Sequence, residues 1–233
     1  MVIHARQVAK AYGTTKVFDN LSFRIRKGEF VSIIGTSGCG KTTLLRMIGG
    51  LLSPTAGKID MGTHTCGFVF QQPVLLPWKT IQDNIQLPKE LGKSVSAVED
   101  MLSLVKLDHV KDKLPHQLSG GMQQRVNLAR ALITNPGILL MDEPFSSLDE
   151  ITREKMQDEL IRIWQQSKNT VAFVTHSISE AVYLSDRVLV LSSKGLEEVD
   201  VPLARPRTSK MKQTKLFHTT VDRLQRVLGG RHA

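Results

Sequence analysis

The stretch GTSGCGKT, Gly35 to Thr42, has the spacing G-x-x-x-x-G-K-[ST] and points to chemistry on phosphate. Glycines at 35, 38 and 40 let the backbone curl until successive N–H groups face inward, and the start of a following helix adds positive potential at the same place. Lys41 reaches toward outer phosphates as a point charge. The hydroxyl of Thr42 suits Mg2+, a hard ion that prefers oxygen. The plain alternative is a tight turn carrying a surface lysine. Cys39, at the helix start, reads as a small filler rather than a reactive thiol.

A second chemical pair closes the apolar run ILLM, which ends in Asp142 and Glu143. A carboxylate at the C-terminal end of a buried strand beside a phosphate loop is placed to hold magnesium, usually through water, which assigns Asp142. Glu143 stands one residue further on, where a base can orient and deprotonate an attacking water. Without the upstream loop, both acids would read as solvated or helix-capping.

The stretch LSGGMQQR, Leu118 to Arg125, poses a question. It precedes a helix whose Met122, Val126, Ala129 and Ile133 share one face and which stops at Asn135-Pro136, so Ser119 and two glycines form its N-terminal turn. Such a turn exposes free N–H groups at a positive dipole end, again an anion site. One triphosphate held in one loop has no evident need of it.

These residues need elements to position them. In VFDNLSFRI, Val17, Leu21, Phe23 and Ile25 alternate as one buried face of a strand. FVSIIG is a continuous apolar run leading straight into the phosphate loop, and after the loop Leu44, Ile48 and Leu51 fall at helical spacing. GILLM, TVAFV and RVLVL read as further buried strands separated by helices, which implies a largely parallel sheet flanked by helices. About Lys79 to Asn135 the pattern turns helical, punctuated by Pro88 and Pro115. The expectation is a core of about 1–78 and 136–200, interrupted by a helical lobe of about 79–135.

Composition narrows the class. The 233 residues are 41% hydrophobic and 23% charged, in the ordinary globular range. No apolar run spans a bilayer, and MVIHARQVAKAYG lacks the apolar core of a secretory leader, so the expected compartment is the cytosol. Cys39 and Cys66 form no CxxC pair and suit a reducing compartment; His64 with Cys66 makes a poor metal site. The net charge of +9 is uneven: residues 205–233 carry +7 and the other 204 carry +2. The ordinary reading of that basic tail is a solvated one, with anionic lipid or nucleic acid as lesser alternatives. Within it, a helix around Leu216 to Leu228 puts Leu216, Thr220, Leu224 and Val227 on one side. It could dock on the core, pair with a partner's tail or touch a membrane surface.

Taken together, the sequence resembles the ATP-binding subunit of ABC transporters from about Ile3 to Leu228. LSGGMQQR resembles the ABC signature, and the other stations follow in family order: Tyr12 before the Walker A loop, Gln71 in FVFQQ, the Walker B strand with Asp142 and Glu143, SSLD ending at Asp149, and His176 in VTH. The resemblance implies a P-loop NTPase (RecA-like) α/β core with a mostly parallel sheet, a small antiparallel β subdomain and an inserted helical lobe. Residues 1–228 would form one nucleotide-binding domain, with 205–233 as a basic C-terminal tail carrying a short helix.

The resemblance also answers the question of the second anion site. In the family, two copies pack head to tail, and the signature turn of one closes over the γ-phosphate held by the other. It implies that ATP is held by Tyr12 stacking on adenine, by Gly35, Thr36, Ser37, Gly38, Cys39, Gly40, Lys41, Thr42 and Thr43, and across the dimer by Ser119, Gly120, Gly121, Gln123 and Asp149. Mg2+ would be held by Thr42, Gln71 and Asp142. Glu143, His176, Lys41 and Gln71 would carry catalysis, with Gln71 relaying the nucleotide state to a membrane subunit. Such a cage forms only on closure, tying chemistry to conformational change.

QQPVLLPW (Gln71 to Trp78) and VPLARPR (Val201 to Arg207) resemble the nitrate, sulfonate and taurine importer branch. That branch implies a separate permease docking near Gln71 to Trp78, through Leu75, Leu76, Pro77 and Trp78, an extracytoplasmic solute-binding protein, and a place at the cytoplasmic face of the cell membrane. Two departures stand out: the short spacing between Gly57 and Gln71 implies an abbreviated antiparallel subdomain, and Ser177 follows His176 where an aspartate is common. The alternatives are an ABC ATPase acting on nucleic acid or the ribosome, an exporter subunit, and a nucleotide-binding module without turnover. A single ATPase unit with no long coiled-coil insertion argues against the first, so nucleic acid is not an expected partner. Glu143 and His176 together argue against the last.

Overall fold

The computed structural model describes residues 2–192 and 195–229. The chain forms two compact units, Met1–His64 with Thr170–Ala233, and Thr65–Asn169. The first unit opens with β1 (Ile3–Tyr12), β2 (Thr15–Ile25), β3 (Phe30–Gly35), α1 (Lys41–Ile48) and β4 (Ala56–Asp60). The second holds β5 (Cys66–Val69), α2 (Ile81–Glu90), α3 (Val98–Leu104), α4 (Gly120–Leu132), β6 (Ile138–Asp142) and α5 (Glu150–Ser167). The chain returns to the first unit through β7 (Thr170–Val174), α6 (Ile178–Leu184), β8 (Arg187–Ser192), β9 (Gly195–Asp200) and α7 (Lys215–Leu228).

In the first unit β3 runs parallel to both β7 and β8, and β9 closes antiparallel on β8. Every residue of β3 and β7 is buried, as expected of strands covered on both faces. The separate antiparallel sheet has the order β2-β1-β4. Its β2 departs from simple alternation. Asn20 has φ 52°, the ladder with β1 shifts register, and Phe18 joins Leu21, Phe23 and Ile25 in the core while Val17 is only half-buried. A bulge swaps the faces, which alternation alone does not foresee.

Two helical expectations are corrected. Helix α1 buries Leu44 and Ile48 but stops before Leu51, which is 61% exposed. Pro88 does not end its segment: it sits inside α2, which continues to Glu90 before the Leu91 cap.

The basic tail is not simply solvated. Arg207 is buried and donates to the carbonyls of Val182, Tyr183 and Ser185 at 2.8, 3.2 and 2.9 Å, so it neutralises the C-terminal end of α6. Arg205 donates to the Leu184 carbonyl at 2.7 Å and pairs with Asp186. Helix α7 then docks on α6 and β8 through Phe217, Thr220 and Leu224. Leu216, expected on that face, is 46% exposed; Phe217 takes its place.

Candidate functional site

In the first unit the phosphate loop leaves the C-terminal end of β3, and His176 follows the C-terminal end of the neighbouring parallel strand β7. Open α/β sheets bind ligands at such strand ends. Gly40 shows why the loop needs glycine. It caps α1 with φ 99°, and a Cβ there would lie 2.6 Å from Cγ1 of Val17 and 2.9 Å from the Phe18 ring. Lys41 is buried, and its Nζ donates to the carbonyls of Gly35 and Thr36, both at 3.0 Å. The ammonium is thus held against the loop backbone. Cys39 packs its sulfur against Gly35, so tightly that a Cβ at Gly35 would lie 2.5 Å from Sγ.

Tyr12 ends β1 with 54% of its surface exposed and Lys10 Nζ over its ring, 4.9 Å from the centroid. His176 is exposed, while the residues beside it are anchored. Thr175 Oγ1 bonds the buried Glu180 carboxylate and accepts the Ser177 N–H at 3.0 Å. Ser177 caps α6 by accepting from Glu180 N–H at 3.3 Å. The serine that replaces an aspartate therefore keeps a helix-capping role.

In the second unit β5 and β6 are parallel, with Val69 opposite Met141. Gln71 follows β5, Asp142 ends β6 and Glu143 comes directly after it, so this unit brings these three residues to one end of its strand pair. Asp142 is buried. Glu143 has φ 45°, a left-handed backbone that costs a residue with a Cβ about 1–2 kcal/mol. The Glu143 carbonyl accepts from Ser146 N–H and Oγ–H at 3.2 and 2.9 Å.

The signature stretch lies where α4 begins. Ser119 is the N-cap, its Oγ accepting from Met122 N–H at 3.4 Å, and Ser119 and Gly120 are exposed. Gln123 turns inward, its amide donating to the carbonyls of Pro115 and Leu118 at 2.9 and 3.3 Å, and so braces the turn from behind. Asp149 caps α5 by accepting from Thr152 N–H at 3.0 Å. This hydrogen bond is the main reason its carboxyl lies below the ordinary range.

Sequence reasoning missed the residues that hold the Gln71 loop. From α4, Gln124 and Asn127 both donate to the carbonyl of Phe70, at 3.2 and 3.0 Å, and Arg130 donates to the carbonyl of Val74 at 2.8 Å. Asn84 of α2 accepts from Leu76 N–H at 2.7 Å and donates to the carbonyls of Leu76, Lys79 and Thr80. Asn84 and Asn127 are fully buried. Within the loop, Leu75 and Leu76 are half-buried, while Val74 and Trp78 are 64% and 73% exposed.

The residues fit their groups chemically. In the first unit the loop offers backbone N–H and an ammonium to phosphate and Thr42 a hydroxyl oxygen; in the second, Gln71 and Asp142 offer oxygen donors of the kind Mg2+ prefers. Among the described residues no cluster of His, Cys, Asp and Glu suits another metal.

Comparison with known proteins is consistent with this chemistry. Residues 18–146 match the family model described as ABC transporter. The chain is 41% identical to the aliphatic sulfonates import ATP-binding protein SsuB 1 of Shouchella clausii, over 98% of this chain and 92% of the relative. It is 45% identical to the uncharacterized ABC transporter ATP-binding protein MJ0412 of Methanocaldococcus jannaschii, over 83% of this chain and 79% of the relative. Among solved structures, the dimeric post-hydrolysis state of the ATP-binding cassette MJ0796, bound to ADP and Pi, matches with a TM-score of 0.74 at 32% identity. That match covers 87% of this chain and 100% of that one.

Proposed function

The chain belongs to the ABC transporter family and is an ATPase that uses ATP and Mg2+, and on that premise we propose that it drives import of a small organosulfonate through a separate permease. The carrying observation is the α4 turn: an exposed Ser119 and Gly120 at a helix N-terminus offer N–H groups and a dipole to an anion. In a head-to-tail dimer of two copies that anion is the γ-phosphate held by the partner's loop, as the dimeric cassette likeness supports. Residues 1–228 make one nucleotide-binding domain, its core at about 1–78 and 136–200 and its helical lobe at about 79–135.

The proposed roles follow from chemistry. Tyr12 stacks on adenine. Residues Gly35 to Thr43 wrap the phosphates, and Lys41 exchanges two loop carbonyls for phosphate oxygens. Thr42, Asp142 and Gln71 would hold Mg2+, which would supply positive charge against the phosphates. Glu143 takes the proton of the attacking water as that oxygen bonds to the γ-phosphorus, and the bond to the β–γ bridging oxygen breaks to release ADP. His176 orients the water and the γ-phosphate. Ser119, Gly120 and Gly121 complete the cage from the partner copy, with Gln123 bracing that turn and Asp149 at the interface.

Val74 and Trp78 give the Gln71 loop an apolar surface for the permease. A binding protein would deliver solute to that permease from outside. No helix of the described residues is long and apolar enough to cross a membrane, so attachment at the cytoplasmic face would run through the permease.

Two measurements test the reading. ATPase activity per molecule should rise with protein concentration and fall steeply in Ser119→Ala; a rate independent of both removes the composite site. Cells carrying Lys41→Ala should lose uptake of a labelled alkanesulfonate; unchanged uptake removes the assigned solute class.

A further inference from the structure

The described residues of the first unit enclose a cleft of about 1160 Å³ beside the phosphate loop. One wall is the loop, Thr36 to Cys39; another is the last turns of α7, which present Arg223 and Arg226 to the same space. The arginines are three apart, so they share a helix face, flanking the buried Leu224 that pins α7 to the core. Both are exposed. Arg226 Nε reaches only the Asp222 carbonyl, at 3.3 Å, and among the described residues neither guanidinium is paired with a carboxylate. Glu197 is the acid lining the cleft.

The placement of this helix is set by anchors independent of the cleft. Arg205 and Arg207 fix the chain to the end of α6, Lys212 lies 4.6 Å from the centroid of the buried Tyr183 ring, and Phe217, Thr220 and Leu224 bury the inner face of α7. Two unpaired guanidinium groups are therefore held by a packed element beside backbone built for phosphate. Like charges so close repel each other, and an anion with several oxygens relieves that repulsion while accepting the planar N–H donors.

We propose that Arg223 and Arg226 are nucleotide-binding residues: the C-terminal helix forms a cationic wall of the phosphate cleft and contacts the polyphosphate of ATP. The proposal rests on the reading of Gly35 to Thr43 as the ATP phosphate site. The helix thereby acquires a task that core docking alone does not require. Its contribution grows with the number of phosphates and is screened by salt.

Equilibrium affinities of the full chain for ATP, ADP and AMP, at low and high salt, test this in the wild type, R223A/R226A, R223K/R226K and Lys41→Ala. The Ala pair should weaken ATP about three- to tenfold at low salt, as expected for exposed charge pairs. ADP should lose less, AMP should be unaffected, and the Lys pair should recover most of the loss. Both side chains are exposed, so unfolding midpoints should stay at the wild-type value. Unchanged or tighter ATP binding in the Ala pair, or an equal loss for AMP, overturns the proposal. If the Ala pair is unaltered while Lys41→Ala abolishes ATP binding, the arginine wall alone fails; if Lys41→Ala also binds normally, the phosphate-site reading falls with it.

Discussion

The side-chain amide of Asn127 donates to the carbonyl of Phe70 at 3.0 Å, and the next residue in the chain is Gln71. Asn127 Oδ1 also accepts from Arg130, which holds the Val74 carbonyl. The helix that begins at the signature turn is thus tied, two turns on, to the loop that carries Gln71. A shift of α4 on nucleotide closure would reach that loop directly.

Asn127→Leu should remove this tie. Phe70 keeps its bond from Gln124, so the loss of stability is expected at about 1–3 kcal/mol. Hydrogen exchange should quicken across residues 71–76, with the rest of the second unit little changed. Unaltered exchange there would show that Gln124, Arg130 and Asn84 hold the loop without Asn127.

Glu143 combines the carboxylate proposed as the base with a left-handed backbone. Glu143→Gln should keep ATP binding, abolish turnover and accumulate a dimer in ATP, visible by light scattering on a sizing column. Glu143→Gly should also be inactive, yet gain about 1 kcal/mol in stability as the strain is released. Full hydrolysis by the Gln variant would remove Glu143 as base, and a less stable Gly variant would refute the strain.

At Gly121 the constraint is space. A Cβ there would lie 2.8 Å from Cγ2 of Thr152, whose N–H holds Asp149. Gly121→Ala should lower ATPase activity about tenfold or more, given how sharply a misplaced site reduces rate. Adding Thr152→Ser, which deletes that methyl, should restore most of it. Failure of the second change to rescue would place the defect elsewhere.

Glu159 supplies a pH signature. Burial alone would raise its carboxyl, but Arg162 at 2.7 Å and Lys106 at 3.1 Å outweigh that and hold it below its ordinary 4.5. A carboxyl depressed by folding stabilises the native state above its unfolded value, and that contribution disappears as pH falls through the folded one. Glu159→Gln should therefore cost about 1–2 kcal/mol in denaturant unfolding at neutral pH. The gap should close on acidification below 4.5. A gap that persists in acid would mean that packing, not charge, is lost.

Much of this was legible in the chain. FVSIIG, TVAFV and RVLVL became fully or largely buried strands because short, mostly apolar, β-branched runs of this kind mark strands covered on both faces, with Ser32 the one polar residue inside them. Ser119, Asp149 and the glycine loop were readable because their chemistry is local: a cap or a tight turn is specified within a few residues. Asn84 and Asn127 were not, since a polar residue on a helix reads as solvent-facing until a distant carbonyl is brought against it. The exchange of Leu216 for Phe217 and the entry of Phe18 into the core have the same origin. A cap or a bulge shifts the phase of a pattern that is otherwise correct.

The anchoring of Arg205 and Arg207 changes what an isoelectric value near 9.7 means for this molecule. The donors of those two cations are committed to helix-end carbonyls and to Asp186, so although their charge still counts in the net field, they cannot close onto the oxygens of a passing polyanion. Stray adhesion to RNA and lipid should accordingly be weaker than titration of the bare chain would forecast, until denaturation sets both guanidinium groups loose.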